Sequence, residues 1–458
     1  MNRTRRMAGC AGVAALCLAL GNGTSAWAMP QAATAGGQDA GAQKQPYTMA
    51  EYNSEQACAV EKNAALQVKC LDDFVSKYPN SALLVYVYPL YFQAYNQLKN
   101  YNKLIEIADR VVAMGDKVDA GMRFNAYYTR AAAYNALITE SPTAAKDVAL
   151  AKSAQAAAIA GLKTLEEVKK PDNVADEAWG AQKKQFQVFL NGVAAQAASV
   201  QKDCAGAIQS YKAVLALNPD DAISSYRLGL AYMCMNPPQY MDAFWSIARA
   251  VTAKGATEAQ SKRVKDYLRK LIVNYQQAAC DNLTDAELAE LLQLASSSVE
   301  RPASYNLPSS ADLDAARKDM TIASVIADLK AGGDKGKVTW LAACGLEFPE
   351  VPGKVIEIVP GTDSTVLKVA FVTSDAEFEA ATTPNMEVKV KVVDQPQAAR
   401  VEKDSAIHFT GTLVSYEPDP SFMLHWDKAK VKEEDIPKEK GAPKKPVRRP
   451  APRKPSGR

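Results

Sequence analysis

From about Tyr47 to about Cys280, apolar residues recur at three- and four-residue spacing, the period of helices with one buried face. The clearest stretch is residues 204–232. Ala207, Ile208, Tyr211 and Leu215 line one helical face, and Asn218-Pro219 ends that helix. Asp220 or Asp221 caps the next, where Leu228, Gly229 and Tyr232 resume the pattern. Small residues at Ala207 and Gly229 allow helices to approach closely. Similar punctuation is found elsewhere. Residues 69–81 close at Pro79, Leu104, Ala108 and Val111 mark another helix, and residues 124–136 a further one. Ser141-Pro142 reads as a cap and first turn opening an Ala-rich helix to about Val168. Pro171-Asp172 breaks the chain before residues 179–199, and Ala243, Ile247 and Ala250 restart the period. The pattern predicts about five or six helical hairpins over residues 47–280.

The pattern then changes twice. Residues 281–350 read as a helical connector, with Thr284-Asp285-Ala286-Glu287 as a capping box, a loop over 301–310, and helices near 312–316 and 321–330. Residues 351–431 instead contain five β-branched or aromatic runs separated by Gly, Pro, Asp and Asn, which predicts a small all-β module. Alternation is plainest where Val388, Val390 and Val392 face one way and Glu387, Lys389 and Lys391 the other. The order of runs, with Gly411 in a long fourth strand, is similar to an OB-type barrel; a β-sandwich also fits.

The helical stretch resembles the tetratricopeptide repeat family. Leu228, Gly229 and Tyr232 match that family's first helix, and Ala207, Tyr211 and Pro219 the second helix of the preceding unit, with Ala243 restarting the pattern. Pro79 and Pro219 are separated by about four repeats of ~34 residues. The resemblance implies a mainly α chain, an α-solenoid of hairpins followed by the β module, and a role in binding protein segments. Tyr88, Tyr91 and Tyr95 share a helical face and read either as the lining of such a groove or as hairpin core.

Six cysteines follow residue 28, and six allow fifteen full pairings. With stacked hairpins, Cys204 at the start of one helix and Cys234 at the end of the next lie side by side. Cys58 and Cys70 flank a short turn, which leaves Cys280 with Cys344. Disulfides suit an exported chain, and the first 28 residues read as an export signal: Arg3, Arg5 and Arg6, an apolar core too short to span a bilayer, then Ala26-Trp27-Ala28. Cys10 and Cys17 lie within that core, which argues against a lipoprotein site. Residues 29–46, rich in Ala, Gly and Gln, read as a flexible leader. The expected location is periplasmic or extracellular, with no later transmembrane segment.

Removing the three signal arginines leaves 51 basic residues against 51 acidic ones. Residues 438–458 hold nine basic residues and one acidic, so an acidic body carries a basic tail. Residues 432–458 have almost no large apolar side chain and read as a disordered tail. Lys444, Lys445, Arg448, Arg449, Arg453 and Lys454 alternate with prolines, a pattern that attracts an anionic envelope polymer or nucleic acid, or serves only as a solubilising end.

Candidate chemistry is sparse. His408 and His425 are the only histidines, Gly332-Gly333-Asp334-Lys335-Gly336 lacks a Walker pattern, and no Cys-x-x-Cys occurs. A Cys344/His408 hydrolase is the remaining enzymatic reading, and export disfavours it by pairing the cysteine. Phe371, Phe409, Tyr416, Phe422 and Trp426, with Lys368, Lys389 and Lys391, would form a base-stacking face or simply fill and coat a small barrel. The chain reads as a non-enzyme without cofactor or metal: a scaffold first, a polyanion binder second.

Overall fold

The computed structural model describes residues 46–418 and 421–438, apart from the side chains of Asp281 and Asn282. The export signal, the leader up to residue 45 and residues 439–458 of the expected tail lie outside the described residues; residues 432–438, read as the start of that tail, are instead ordered, with a 3-10 turn at Glu433–Asp435 and Ile436 buried in the barrel cluster. The chain divides into two compact units between Val264 and Lys265, so the division falls earlier than the position near 280 where the hairpin pattern fades.

The first unit is helical throughout: α1 (Met49–Ala59), α2 (Ala64–Lys77), α3 (Leu84–Gln97), α4 (Tyr101–Ala113), α5 (Ala120–Glu140), α6 (Val148–Leu165), α7 (Asp176–Val200), α8 (Cys204–Leu217), α9 (Ala222–Cys234) and α10 (Tyr240–Thr252), with α11 (Glu258–Gln276) crossing the division. Short polar side chains fix many of the starts by accepting the otherwise unpaired N–H groups of the first turn. Thr48 and Glu51 form a reciprocal capping box, and Asn63, Asn100, Asp119, Asp147, Asp203 and Asp221 each accept from a backbone N–H. At the 218–221 turn the cap is Asp221, whose Oδ1 accepts from Ile223 N at 3.0 Å and Ser224 N at 3.2 Å.

Two expected starts differ from those observed. Ser141 closes α5 rather than opening the Ala-rich helix, because its hydroxyl holds only Ala144 N, at 3.3 Å, over a short 3-10 turn. The Asp147 carboxylate, accepting from Leu150 N at 3.0 Å, starts α6 instead. Thr284 does not begin a helix either: α12 (Asp281–Ser297) starts beyond Cys280, Thr284 is buried inside it, and Asp285 pairs with Arg269 at 2.6 Å.

Every helix from α1 to α9 packs on its successor in sequence. Three apolar clusters follow one another: Leu71, Phe74, Val87 and Ile107 on α2–α4, then Phe124, Tyr134, Phe186 and Leu190 on α5–α7, then Ala207, Tyr211, Leu228 and Ala243 on α8–α10. Tight crossing is enforced at Gly229, where a Cβ would sit 2.4 Å from Ile247 Cγ1 and 2.9 Å from the Ala243 carbonyl oxygen.

The second unit joins α12, α13 (Ser310–Lys318), α14 (Ile322–Ala331) and α15 (Gly333–Ala343) to five strands: β1 (Glu347–Val359), β2 (Ser364–Phe371), β3 (Met386–Lys391), β4 (Ala406–Glu417) and β5 (Met423–Val431). A short helix, α16 (Asp375–Ala380), lies between β2 and β3. The strands close into a barrel in the order β1-β2-β3-β5-β4, antiparallel except for β3 on β5, so the sheet closes on itself and is not a sandwich. Met386, Val388 and Val390 point inward and Lys389 and Lys391 outward, as the alternation predicts, but Val392 lies just past the end of β3 and is half-buried. Residues 281–350 are less a connector than part of this unit. Val325, Leu329, Trp340 and Ala343 share one apolar cluster with barrel residues such as Val351, Leu413 and Leu424, because their exposed apolar faces find cover there. Trp340 meets Tyr416 edge-on, with ring centroids 4.9 Å apart.

Two polar side chains complete the barrel. Gln395 replaces a missing strand partner: its Nε2 donates to Val431 O at 2.6 Å and its Oε1 accepts from Val431 N at 2.8 Å. Lys354, mostly buried, donates to Phe378 O at 3.0 Å and Ala381 O at 3.2 Å, and so ties the end of α16 to β1. Among the described residues no helix is long and apolar enough to cross a membrane.

Two glycine substitutions separate packing from helix propensity. Gly229→Ala is expected to lower the unfolding free energy of the helical unit by about 1–3 kcal/mol, as overpacking at a crossing does. Gly192→Ala in α7, where a Cβ meets nothing within 4 Å, should raise it by about 0.5–1 kcal/mol. Urea unfolding followed by circular dichroism reads both; two shifts of the same sign would contradict the packing assignment.

Candidate functional groove on helices α8–α10

The residues that carry the repeat pattern are interior. Ala207, Tyr211, Leu228, Tyr232 and Ala243 form one buried cluster, and Gly229 is the contact point with α10. Pro219 is exposed after α8, and its carbonyl accepts from Arg249 Nη2 at 2.9 Å. Burying one face of α8 leaves the other open. Ala205, Gln209 and Lys212 are exposed and Ile208 half-buried on that second face, at spacings of three and four.

This face is one wall of a shallow, solvent-open groove. Ala205, Ile208, Gln209 and Lys212 of α8 face Tyr232 of α9, Met235 and Gln239 of the following loop, and Asp242 of α10. Tyr232 is mostly buried, and the Lys212 ammonium lies 5.7 Å from its ring centroid. Backbone and covalent links hold the loop wall, and Met235 N donates to Tyr232 O at 3.3 Å. Cys204, the first residue of α8, is disulfide-bonded to Cys234, the last of α9, and Gln239 N donates to Tyr232 O at 3.1 Å. Apolar patches (Ile208, Met235), two carboxamides (Gln209, Gln239) and one charge of each sign (Lys212, Asp242) thus share a single open cleft. Such a surface offers apolar contact and amide hydrogen-bonding groups side by side. Of the motif residues only Tyr232 reaches it; Gln209, Lys212, Met235, Gln239 and Asp242 lie off the buried face and carry no repeat signal.

Tyr88, Tyr91 and Tyr95 do not line a groove. They are 7%, 1% and 7% exposed and belong to the α2–α4 core. Tyr91 donates its hydroxyl to Asp72 Oδ1 at 2.6 Å and stacks on Tyr95, with ring centroids 5.8 Å apart. Burial first, then the Asp72 hydrogen bond, pushes the Tyr91 hydroxyl far above its ordinary range.

All three cysteine pairs read from the hairpin arrangement are present: Cys58–Cys70, Cys204–Cys234 and Cys280–Cys344. With Cys344 so bonded there is no thiolate for a Cys344/His408 hydrolase. His408 instead receives Asp435 at 3.1 Å, and His425 lies between Glu387 at 3.4 Å and Glu417 at 3.3 Å.

Of the two readings of the barrel aromatics, the positions fit the one in which they fill the barrel. Phe409 and Trp426 are interior and meet at 5.3 Å, and Phe371, Tyr416 and Phe422 pack against the same core. Lys368 is paired with Glu357 at 2.9 Å, while Lys389 and Lys391 are exposed. The tail residues Lys444, Lys445, Arg448, Arg449, Arg453 and Lys454 lie outside the described residues. Among the described residues no group of three His, Cys, Asp or Glu side chains is placed to hold a metal ion.

Neither a protein-family model nor a curated protein matches this chain.

One buried carboxylate gives the helical unit a pH dependence. Glu55 is 1% exposed, and burial raises its pKa against a hydrogen bond from Gln56 at 2.9 Å. A raised folded pKa means that the folded state binds more protons than the unfolded one, so stability falls as pH rises through that raised value. Stability should therefore increase as pH is lowered from about 7 toward the ordinary glutamate range. Glu55→Gln should flatten that slope, read as urea midpoints across the range; an unchanged slope would rule out Glu55 as its source.

Proposed function

We infer that the helical unit is a tetratricopeptide-type scaffold, an α-solenoid that seats a segment of a protein partner in the α8–α10 groove. One observation carries this reading: the region with the repeat-like residues also presents the open, amphipathic groove, and a disulfide holds its walls. Ile208 and Met235 would take apolar side chains, Gln209 and Gln239 would bond to the bound backbone, and Lys212 with Asp242 would select charge. Export to the periplasm or cell exterior is part of the proposal, since three disulfides suit an oxidising compartment and the first 28 residues carry the pattern of an export signal. The barrel, whose runs resemble an OB-type fold, would serve as an attached module with its aromatics as core.

The rival reading rests on the basic tail. Nine basic residues against one acidic over residues 438–458 would draw anionic polymer without sequence specificity.

Affinity capture from a cell-envelope extract separates the two. The bait is the chain from Met29, in three forms: intact, lacking residues 438–458, and carrying Gln209→Glu with Lys212→Glu, both exposed positions. The scaffold reading expects discrete proteins that survive high salt and tail deletion and fall at least ~10-fold in the double variant, a loss of about 1.4 kcal/mol. Retention of anionic polymer alone, released at moderate salt or with the tail, would reject it.

A further inference from the structure

The three disulfides differ in what surrounds them. Cys58 and Cys344 are each 0% exposed, so Cys58–Cys70 and Cys280–Cys344 each have one sulfur sealed in a core. Cys204–Cys234 has no buried partner: Cys204 is half-buried and Cys234 exposed. The same disulfide ties the first residue of α8 to the last of α9, between Ala205 on one groove wall and Met235 on the other.

We propose that Cys204–Cys234 is a reducible clasp that controls the shape of the α8–α10 groove, so that a dithiol reductant switches binding there while the other two disulfides remain intact. The proposal rests on the groove reading and adds its regulation. The chemistry is thiol–disulfide exchange. A thiolate of the dithiol attacks the accessible Cys234 sulfur, the Cys204–Cys234 bond breaks, and Cys204 leaves as thiolate. The second thiol of the reductant then attacks the mixed disulfide, leaving an oxidised reductant and two protein thiols, a transfer of two electrons and two protons. The leaving thiolate forms in the first turn of a 14-residue helix, whose unpaired N–H groups favour negative charge. The adjacent Asp203 carboxylate opposes this, although it is engaged as the cap through Gly206 N at 3.0 Å.

Reduction does not dismantle the fold. Ala207, Tyr211, Leu228, Tyr232 and Ala243 still pack, and Gly229 still crosses α10. Of the links that hold the 235–239 wall, the covalent one is lost, and the backbone bonds from Met235 N and Gln239 N to Tyr232 O survive. The change is therefore local to the groove mouth.

The test uses the full chain with all three disulfides formed, titrated with dithiothreitol and read by alkylation and peptide mass mapping. Cys204 and Cys234 should become labelled at a reductant concentration at least ~10-fold below that needed for the cysteines of the other two disulfides. Hydrogen exchange at the selective concentration should rise in residues 204–209 and 232–242 and stay unchanged over α1–α5. Cys204→Ser with Cys234→Ser should reproduce that exchange pattern without reductant. Circular dichroism of the selectively reduced native chain checks that helix content is kept, so a poorly folding variant does not remove the test. Simultaneous reduction of all three disulfides, or selective reduction with no change in exchange at the groove, would overturn the clasp. These readouts involve no partner, so failure of the scaffold reading would leave them standing and is recognised separately by capture.

Discussion

The helical unit depends on one constraint: each helix buries its apolar face against the next helix in sequence. Such packing asks for small residues wherever two axes cross closely, and Gly229 against Ala243 and Ile247 is the tightest instance. It also spreads buried apolar side chains over successive clusters along the described helices. The groove follows from the same constraint. Once one face of α8 is committed to Tyr211 and Val214 inside, the opposite face, with Gln209 and Lys212, is left to solvent and forms the groove wall.

The second unit solves a different problem. A five-stranded barrel has little interior, and Trp426, Phe409 and Leu413 fill it. Its remaining apolar surface is covered by α14 and α15, and the Cys280–Cys344 disulfide fastens the start of α12 to the residue after α15. Aromatics that look like a nucleic-acid platform in a list of residues are thereby spent on the core. In a barrel this small, interior demand takes large side chains before any surface role can.

Much of this was legible from residue order. Period 3.6 marked α8 and α9 nearly to the residue, period 2 marked β3, and the side-by-side helix ends gave the Cys204–Cys234 pair. Capping was harder to read, because the Ser141-Pro142 pair and Asp147, six residues after the Ser, compete for the same helix, and only the backbone geometry lets Asp147 prevail over Ser141. The tyrosine stripe at Tyr88, Tyr91 and Tyr95 left core and groove equally consistent with the spacing, since a helix uses the same period for either. The groove itself was hidden for a related reason: its residues come from α8, α9, a loop and α10, and no local pattern joins Gln209 to Gln239.

The central claim is that the α8–α10 groove holds a segment of a partner protein. A photo-crosslinking amino acid at Gln209, in the chain expressed with its native export signal, tests this most directly against the same group at exposed Glu177 on α7. The account predicts a discrete crosslinked protein from position 209, absent from position 177 and insensitive to removal of residues 438–458. Equal crosslinking at both positions, or none at 209 while the tail alone retains partners, would contradict it.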